Sequence, residues 1–356
     1  MGWGKIVGMK ILAVETSCDE TCAAITEGTA ILSNVVWSQV DLHKEFGGVV
    51  PSIAKRAHQE KIDWIINKAM VTDVDAIAVT VGPGLAIALE VGIAKAKELA
   101  IKWNKPLIAV NHIEGHVLSG LTPEVGFPAL ALVVSGKHTD LILIKAIGNY
   151  EIIARTIDDA LGEALDKAAR MLGLGYPGGA ELEIAARSGN PTAYKLPLPM
   201  LGRENRNEFS YSGLKTAFWR LVNQFSVDQL TSQRISDLAA AFQDRAFAHL
   251  TRVLSKTLQK FNTSPYPPPK LGGGIKGGGM SPIRDLLVGG GVAANAELRE
   301  RLSKLSERVH FPAQGLYGDN AAMIGIAAGF KAARGEFVKD INLVDRLPRW
   351  RIDQAL

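Results

Sequence analysis

Two stretches of the chain repeat one pattern. KILAVETSCDETCAAITEG, residues 10–28, reads as an apolar strand, a short polar turn and a second strand. ALALVVSGKHTDLILIKAIG, residues 129–148, reads as a strand, a turn of small residues and a strand again. Apolar runs this short, punctuated by polar or glycine turns, are strands rather than helices. AILSNVVWSQV and YEIIARTID supply a third strand after each hairpin. In the first half a helix is expected over about 53–70, a strand in DAIAVTVG, a helix over 85–103 and a strand in PLIAV. In the second half helices are expected over 160–172, 180–188, 212–225 and 235–261. They are followed by a strand in RDLLVGGG, a helix in NAELRERLSKLSE, a strand in RVHFP and a helix in GDNAAMIGIAAGFKAARG closed by Gly335. This is an α/β chain with two related subdomains, each led by a β-hairpin. The expected division is a tail over 1–8, a first lobe over 9–125 and a second over 126–356.

Composition narrows the class. With 47% hydrophobic and 21% charged residues the chain is that of an ordinary globular protein. No apolar run reaches the roughly 18 residues of a membrane span. The segment MGWGKIVGMK is too short to serve as a signal peptide, and Met9 is an alternative start. Cys18 and Cys22 are no disulfide framework, which points to a reducing cytoplasm. A net charge of +4 permits a nucleic-acid partner without arguing for one. The proline- and glycine-rich run NTSPYPPPKLGGGIKGGGMSP, 262–282, is expected to be a flexible insertion.

The turns are the first candidates for chemistry. VSGKHT follows a strand, and its backbone N–H groups can surround a phosphate. VGGGVAAN leads from a strand into a helix, whose start favours an anion. GPG at 82–84 ends a strand in the same way, although simple turn chemistry explains it equally well. None of these matches a dinucleotide-binding or Walker motif. In DDALGEALDKAARMLGLGYPGGAELE, Asp158 or Asp159 is expected to cap the following helix, and Asp166 shares a face with them.

NHIEGH raises a sharper question. His112 and His116 are four apart, so on a helix both imidazoles lie on one face and can share a metal. A third ligand is needed. Asp319 in YGDN, at the start of a helix, can supply it by facing the pair across a cleft between lobes. A zinc peptidase of the H-E-x-x-H kind needs glutamate directly after the first histidine, and Ile113 occupies that place. The spacing keeps the metal and disfavours a metal-dependent glycoprotease, which stands as the alternative function.

The motifs ETSCDET, GGVVPSIAKRAH, GPGL, NHIEGH, VSGKHT, IDDALGEALDKAARMLGLGYPGG, FSYSGLKTA, GGGVAANAELR, GDNAAMIG and LPRWR run through nearly the whole chain. In this order they resemble the tRNA N6-adenosine threonylcarbamoyltransferases, the TsaD family, of bacterial type, once labelled O-sialoglycoprotein endopeptidases. The resemblance implies a two-lobed actin/Hsp70/sugar-kinase-like (ASKHA) fold. It implies transfer of a threonylcarbamoyl group from threonylcarbamoyl-AMP to N6 of adenosine 37, just 3′ of the anticodon, in tRNAs reading ANN codons.

By position, the resemblance assigns His112, His116 and Asp319 to one divalent metal ion per subunit, Fe2+ ahead of Zn2+. It assigns Val133, Val134, Ser135, Gly136 and Lys137 to a substrate loop, Asp166 and Gly179 to the sugar side of the nucleotide, and Asn295 to the nucleotide. The group that takes the amine proton is unassigned, with Asp19 and Glu15 as candidates because the first hairpin turn should face the cleft. Expected partners are tRNA, a TsaB-type paralogue and a TsaE-type ATPase, with no membrane. Lys55, Arg56, Arg349 and Arg351 are candidate phosphate contacts. Lys137 departs from the family's S-G-G-H-T loop: lysine is strained there if the position needs positive φ, and otherwise offers its ammonium to a phosphate.

Overall fold

The structure is a computed structural model and describes residues 8–203, 206–263, 283–306 and 308–355. The insertion expected over 262–282 falls, beyond Thr263, outside the described residues, as does the tail before Gly8. The strands are β1 (Lys10–Glu15), β2 (Glu20–Glu27), β3 (Ala30–Ser38), β4 (Ala76–Gly82), β5 (Leu107–Asn111), β6 (Ala129–Val134), β7 (Thr139–Ala146), β8 (Asn149–Thr156), β9 (Glu208–Phe209), β10 (Asp285–Gly289) and β11 (Arg308–His310). The helices are α1 (Val40–His43), α2 (Pro51–Ala69), α3 (Ala86–Trp103), α4 (His112–Leu118), α5 (Leu161–Met171), α6 (Gly178–Ala186), α7 (Ser212–Val222), α8 (Ser232–Thr263), α9 (Ala296–Ser303) and α10 (Ala321–Ala333). The short elements α1 and β9 carry too few residues to show a periodicity.

The chain forms two compact units, Met1–Pro123 with Phe311–Leu356, and Glu124–His310. The first holds a sheet in the order β3-β2-β1-β4-β5, the second a sheet in the order β11-β10-β6-β7-β8-β9. In the first, β1 pairs antiparallel with β2 and parallel with β4. In the second, β6 pairs antiparallel with β7 and parallel with β10. The two topologies superpose strand for strand, β1–β5 on β6, β7, β8, β10 and β11, with β9 added at one edge. The repeated hairpin in the sequence is thus the start of a repeated subdomain. The central strands are buried along their length, which is why they read as unbroken apolar runs.

The second boundary differs from the expectation of a lobe running from 126 to 356. Residues 311–356 return to the first unit, where α10 packs on β1 and β2. Gly325 makes this possible: a Cβ there would lie 2.5 Å from Thr26 Oγ1. The tail then crosses the sheet edge. The Val338 N–H donates to Leu107 O (2.9 Å) and the Leu347 N–H to Val81 O (2.6 Å). Gly82 is glycine because a Cβ would sit 1.9 Å from Leu347 O. The opposite face of the sheet carries α2 and α3, with Ile62, Ile65, Leu89 and Ile93 closing on Leu12, Val14 and Ile77.

In the second unit neither aspartate caps α5 as expected. The Leu161 N–H donates to Thr139 Oγ1 (2.8 Å) instead. Asp158 accepts from Ser210 Oγ and from the Tyr211 and Ser212 N–H groups, so it caps α7. Asp159 pairs with Lys167 and Lys215.

His249, on α8, is fully buried between Phe209 and Tyr211. Its Nε2 accepts the Ser210 N–H (3.2 Å), which requires a neutral ring protonated at Nδ1. Burial, with Arg252 adding to it, pushes its pKa from 6.5 down to about 4. The unfolded chain takes up this proton first, so the stability His249 confers is complete above its ordinary value. It is lost as pH falls from about 6.5 toward 4, by roughly 3 kcal/mol. Urea unfolding at pH 7 and pH 4.5 will show this loss, and His249→Gln will flatten it.

Candidate metal centre

Two asparagines set up the centre. Asn111, the last residue of β5, turns its side-chain oxygen onto the Ile113 and Glu114 N–H groups and starts α4 at His112. Asn320 caps α10 through the Met323 N–H (3.0 Å), and its amide donates to Gly318 O (2.9 Å), holding the turn that carries Asp319. Neither was singled out from the sequence. Their signal was their place: one directly precedes His112, the other directly follows Asp319.

Gly115 decides how closely these elements approach. A Cβ there would lie 2.9 Å from Ile324 Cδ1 and 3.1 Å from Met323 Cγ, both on α10. A glycine that weakens α4 as a helix therefore allows α10 to press against it. The result gathers His112, His116 and Asp319, with one ligand atom from each within 4.8 Å of the others. Asp319 Oδ1 lies 3.1 Å from His116 Nε2 and 3.6 Å from His112 Nε2. The two rings stand edge to face, 4.7 Å between centroids. All three donors belong to the first unit, so Asp319 does not reach the pair from a second lobe as expected. The reason is the return of residues 311–356 to the first sheet.

The electrostatics suit a cation. Burial pushes the His116 pKa down, and His112 adds to this against the pull of Asp319, so the ring is neutral and carries a lone pair. Two imidazoles and a carboxylate are a donor set of zinc and non-haem iron sites. The residues present therefore fit a metal ion.

Glu15, at the end of β1, is fully buried beside the centre. Its carboxylate receives the Ser17 N–H, the Thr80 hydroxyl (2.5 Å) and His112 Nδ1 (3.1 Å). Burial works to raise its pKa, but the charge and hydrogen bond of His112 and the Thr80 bond bring it below the usual carboxylate value. Asp19 lies in the β1–β2 turn, largely buried, with its carbonyl accepting the Gln39 N–H (2.9 Å). Its neighbour Glu20 was not singled out. Desolvation and the charges of Asp19, Asp319 and Glu15 push the Glu20 carboxyl well above its ordinary value. The turn is held by His58, whose Nε2–H donates to Cys18 O (3.0 Å) while Nδ1 accepts from Thr21 Oγ1 (2.8 Å).

The residues assigned to substrate lie in the second unit. Val133 and Val134 are buried at the end of β6, and Ser135–His138 form a tight turn closed by the Ser135 N–H to His138 O (2.9 Å). Two glycines clamp it. A Cβ on Gly162 would lie 2.5 Å from Ser135 O, and one on Gly290 2.3 Å from Val134 O. The start of α5 and the loop before α9 thus meet the 134–136 backbone. Gly136 and Lys137 are exposed, and among the described residues the non-glycine ones with positive φ are Asn104, Met200 and Asn207. Lysine at 137 is therefore unstrained. Asp166 Oδ1 accepts the Gly179 N–H (2.7 Å), bringing that pair together. Asn295 caps α9 through the Leu298 N–H and donates to Gln243 Oε1 (2.9 Å). Among the surface cations, Lys55 pairs with Glu90, Arg56 with Glu60 and Arg351 with Asp353.

Ile113, buried against the core, leaves α4 without a glutamate next to His112, as the sequence implied for a peptidase. The fold is that of an ASKHA-type α/β protein, and His112, His116 and Asp319 form a cluster of metal-ligand type within it. Solved structures with this fold include HypF of T. kodakarensis, with a TM-score of 0.57 and 12% identity over 93% of this chain and 48% of that one. Another is component A of the Acidaminococcus fermentans (R)-2-hydroxyglutaryl-CoA dehydratase, with a TM-score of 0.53 and 14% identity over 92% of this chain and 100% of that one. The family model TsaD, tRNA N6-adenosine threonylcarbamoyltransferase, matches residues 30–326. The tRNA N6-adenosine threonylcarbamoyltransferase of Bartonella henselae is 45% identical over 97% of this chain and 96% of its own length. That of Trichlorobacter lovleyi is 44% identical over 98% of both. The chain belongs to the TsaD family and is an acyltransferase that modifies tRNA.

Gly115→Val should push α10 from α4 and cost ~1–3 kcal/mol through overpacking. Calorimetric zinc titration of the refolded variant should show weakened binding, because His116 and Asp319 no longer meet.

Proposed function

We propose that the chain transfers the threonylcarbamoyl group of threonylcarbamoyl-AMP to N6 of adenosine 37 in tRNAs reading ANN codons, releasing AMP. The observation that carries this reading is the convergence of His112, His116 and Asp319 in a chain of this family. These three would hold one divalent ion, Fe2+ or Zn2+. When bound, it would supply Lewis-acid stabilisation of negative charge on the acyl-adenylate. The exocyclic amine attacks the carbamoyl carbonyl carbon, the mixed-anhydride C–O bond breaks, and AMP carries away the electron pair.

Around that step the chain's own groups bind and orient. The backbone from Val133 to Lys137 lines the adenylate, and Lys137 adds a cation where the family has glycine. Asp166 and Gly179 hold the sugar side, and Asn295 the nucleotide. Asp19 is the candidate acceptor for the amine proton, since the Glu15 carboxylate is already engaged by three donors. We read a protein that transfers its group to tRNA as cytoplasmic. Among the described residues no helix is long and apolar enough to cross a membrane. A TsaB-type paralogue and a TsaE-type ATPase are the partners expected for a bacterial member of the family.

The assay combines the protein, these partners, threonylcarbamoyl-AMP and an unmodified ANN-decoding tRNA, followed by nuclease digestion and mass spectrometry. Threonylcarbamoyladenosine should form with wild type and be abolished by His112→Ala, whose circular dichroism should match wild type. No product under conditions where a known member of the family works would contradict the reading.

A further inference from the structure

The two histidines are not equally supported. His112 Nδ1 sits 3.1 Å from Glu15 Oε2 and 3.1 Å from Ser17 Oγ. His116 Nδ1 is buried with no hydrogen-bond partner among the described residues. A metal-binding imidazole ordinarily donates its second N–H to a carboxylate or carbonyl, which fixes both tautomer and ring orientation. Of the two, only His112 has such a partner among the described residues.

We propose that Glu15 is a positioning residue that locks His112 in the Nδ1–H tautomer and so aims its Nε2 lone pair at His116 and Asp319. This rests on the reading of those three residues as metal ligands. An ionised carboxylate only accepts. Glu15 has three neighbours able to donate, namely the Ser17 N–H, the Thr80 hydroxyl and His112 Nδ1. Were His112 Nδ1 bare, its lone pair would face a carboxylate oxygen at 3.1 Å in a site closed to water. A buried pair of facing acceptors is costly, so the proton belongs on Nδ1.

The scaffold leaves the carboxylate little freedom. Glu15 ends the central strand β1, and Thr80 lies on β4, its parallel neighbour. Ser17 is held from outside by the Leu85 N–H donating to its carbonyl (2.8 Å). Gly84 packs so closely on Ser17 that a Cβ would lie 2.7 Å from the same oxygen. The GPGL turn therefore braces the residue that braces Glu15. Glu15, read from sequence as a candidate base, is better placed to orient a ligand than to receive a substrate proton.

The test uses the metal-free full-length chain, labelled with 15N-histidine, and zinc as the probe. With zinc added to wild type, the His112 15N shifts should report a protonated Nδ1 and a metal-bound Nε2; zinc bound through Nδ1, or no zinc-dependent shift at His112, overturns the proposal, and this readout needs no variant. Competitive chelator titration of Glu15→Gln should show zinc affinity weakened about 10- to 100-fold, with a mixed tautomer at His112. A simple loss of negative charge would weaken binding without disturbing the tautomer, and that result also overturns it. Wild type and Glu15→Gln binding zinc equally would refute the inference while leaving the metal reading intact. Wild type and His112→Ala binding equally would refute the metal reading and the inference with it.

Discussion

The carboxylate of Glu15 is sealed among a backbone N–H, a hydroxyl and an imidazole, and its charge is tolerable only because all three donate to it. That requirement ties together four separate pieces of chain: the end of β1, the Ser17 turn, β4 and the start of α4. None can shift without leaving a buried anion short of a donor. The ring of His112 is thereby held in place, with His116 and Asp319 beside it.

Close approach does the remaining work. Gly115 lets α10 lie against α4, and Gly325 lets it lie against β2, so the turn before α10 delivers Asp319 beside His116. In the second unit, Gly162 and Gly290 perform the same service for the Ser135 turn, which is gripped from two sides at its backbone. Each unit thus uses glycines to bring elements from distant parts of the sequence to the end of its own sheet. The first brings His112, His116 and Asp319 together, and the second packs Gly162 and Gly290 on the backbone of the Ser135 turn.

Much of this was legible beforehand. The strand and helix periodicities placed nearly every long element within a few residues, because buried parallel strands and amphipathic helices carry their signals locally. The histidine pair and Asp319 were visible as ligand types in motifs. The path of the chain after residue 310 was not. An α10 that belongs to the first sheet rather than the second leaves no local mark, since its apolar face fits either. The cap of α5 was missed for a similar reason: Thr139 is twenty-two residues from the N–H it satisfies, while Asp158, adjacent in sequence, serves α7 instead. Glu15 was read as a candidate proton acceptor next to the first hairpin turn, and only the tertiary contacts with Thr80 and His112 show what holds its carboxylate.

The proposal that one unit alone holds the metal, through His112 Nε2, His116 Nε2 and Asp319, is checked by anomalous diffraction from crystals of the iron- or zinc-loaded protein, recorded at the metal's absorption edge. A single strong peak is expected about 2.0–2.2 Å from both Nε2 atoms and an Asp319 oxygen. A peak bound through His112 Nδ1, or one lying away from these three residues, would contradict it.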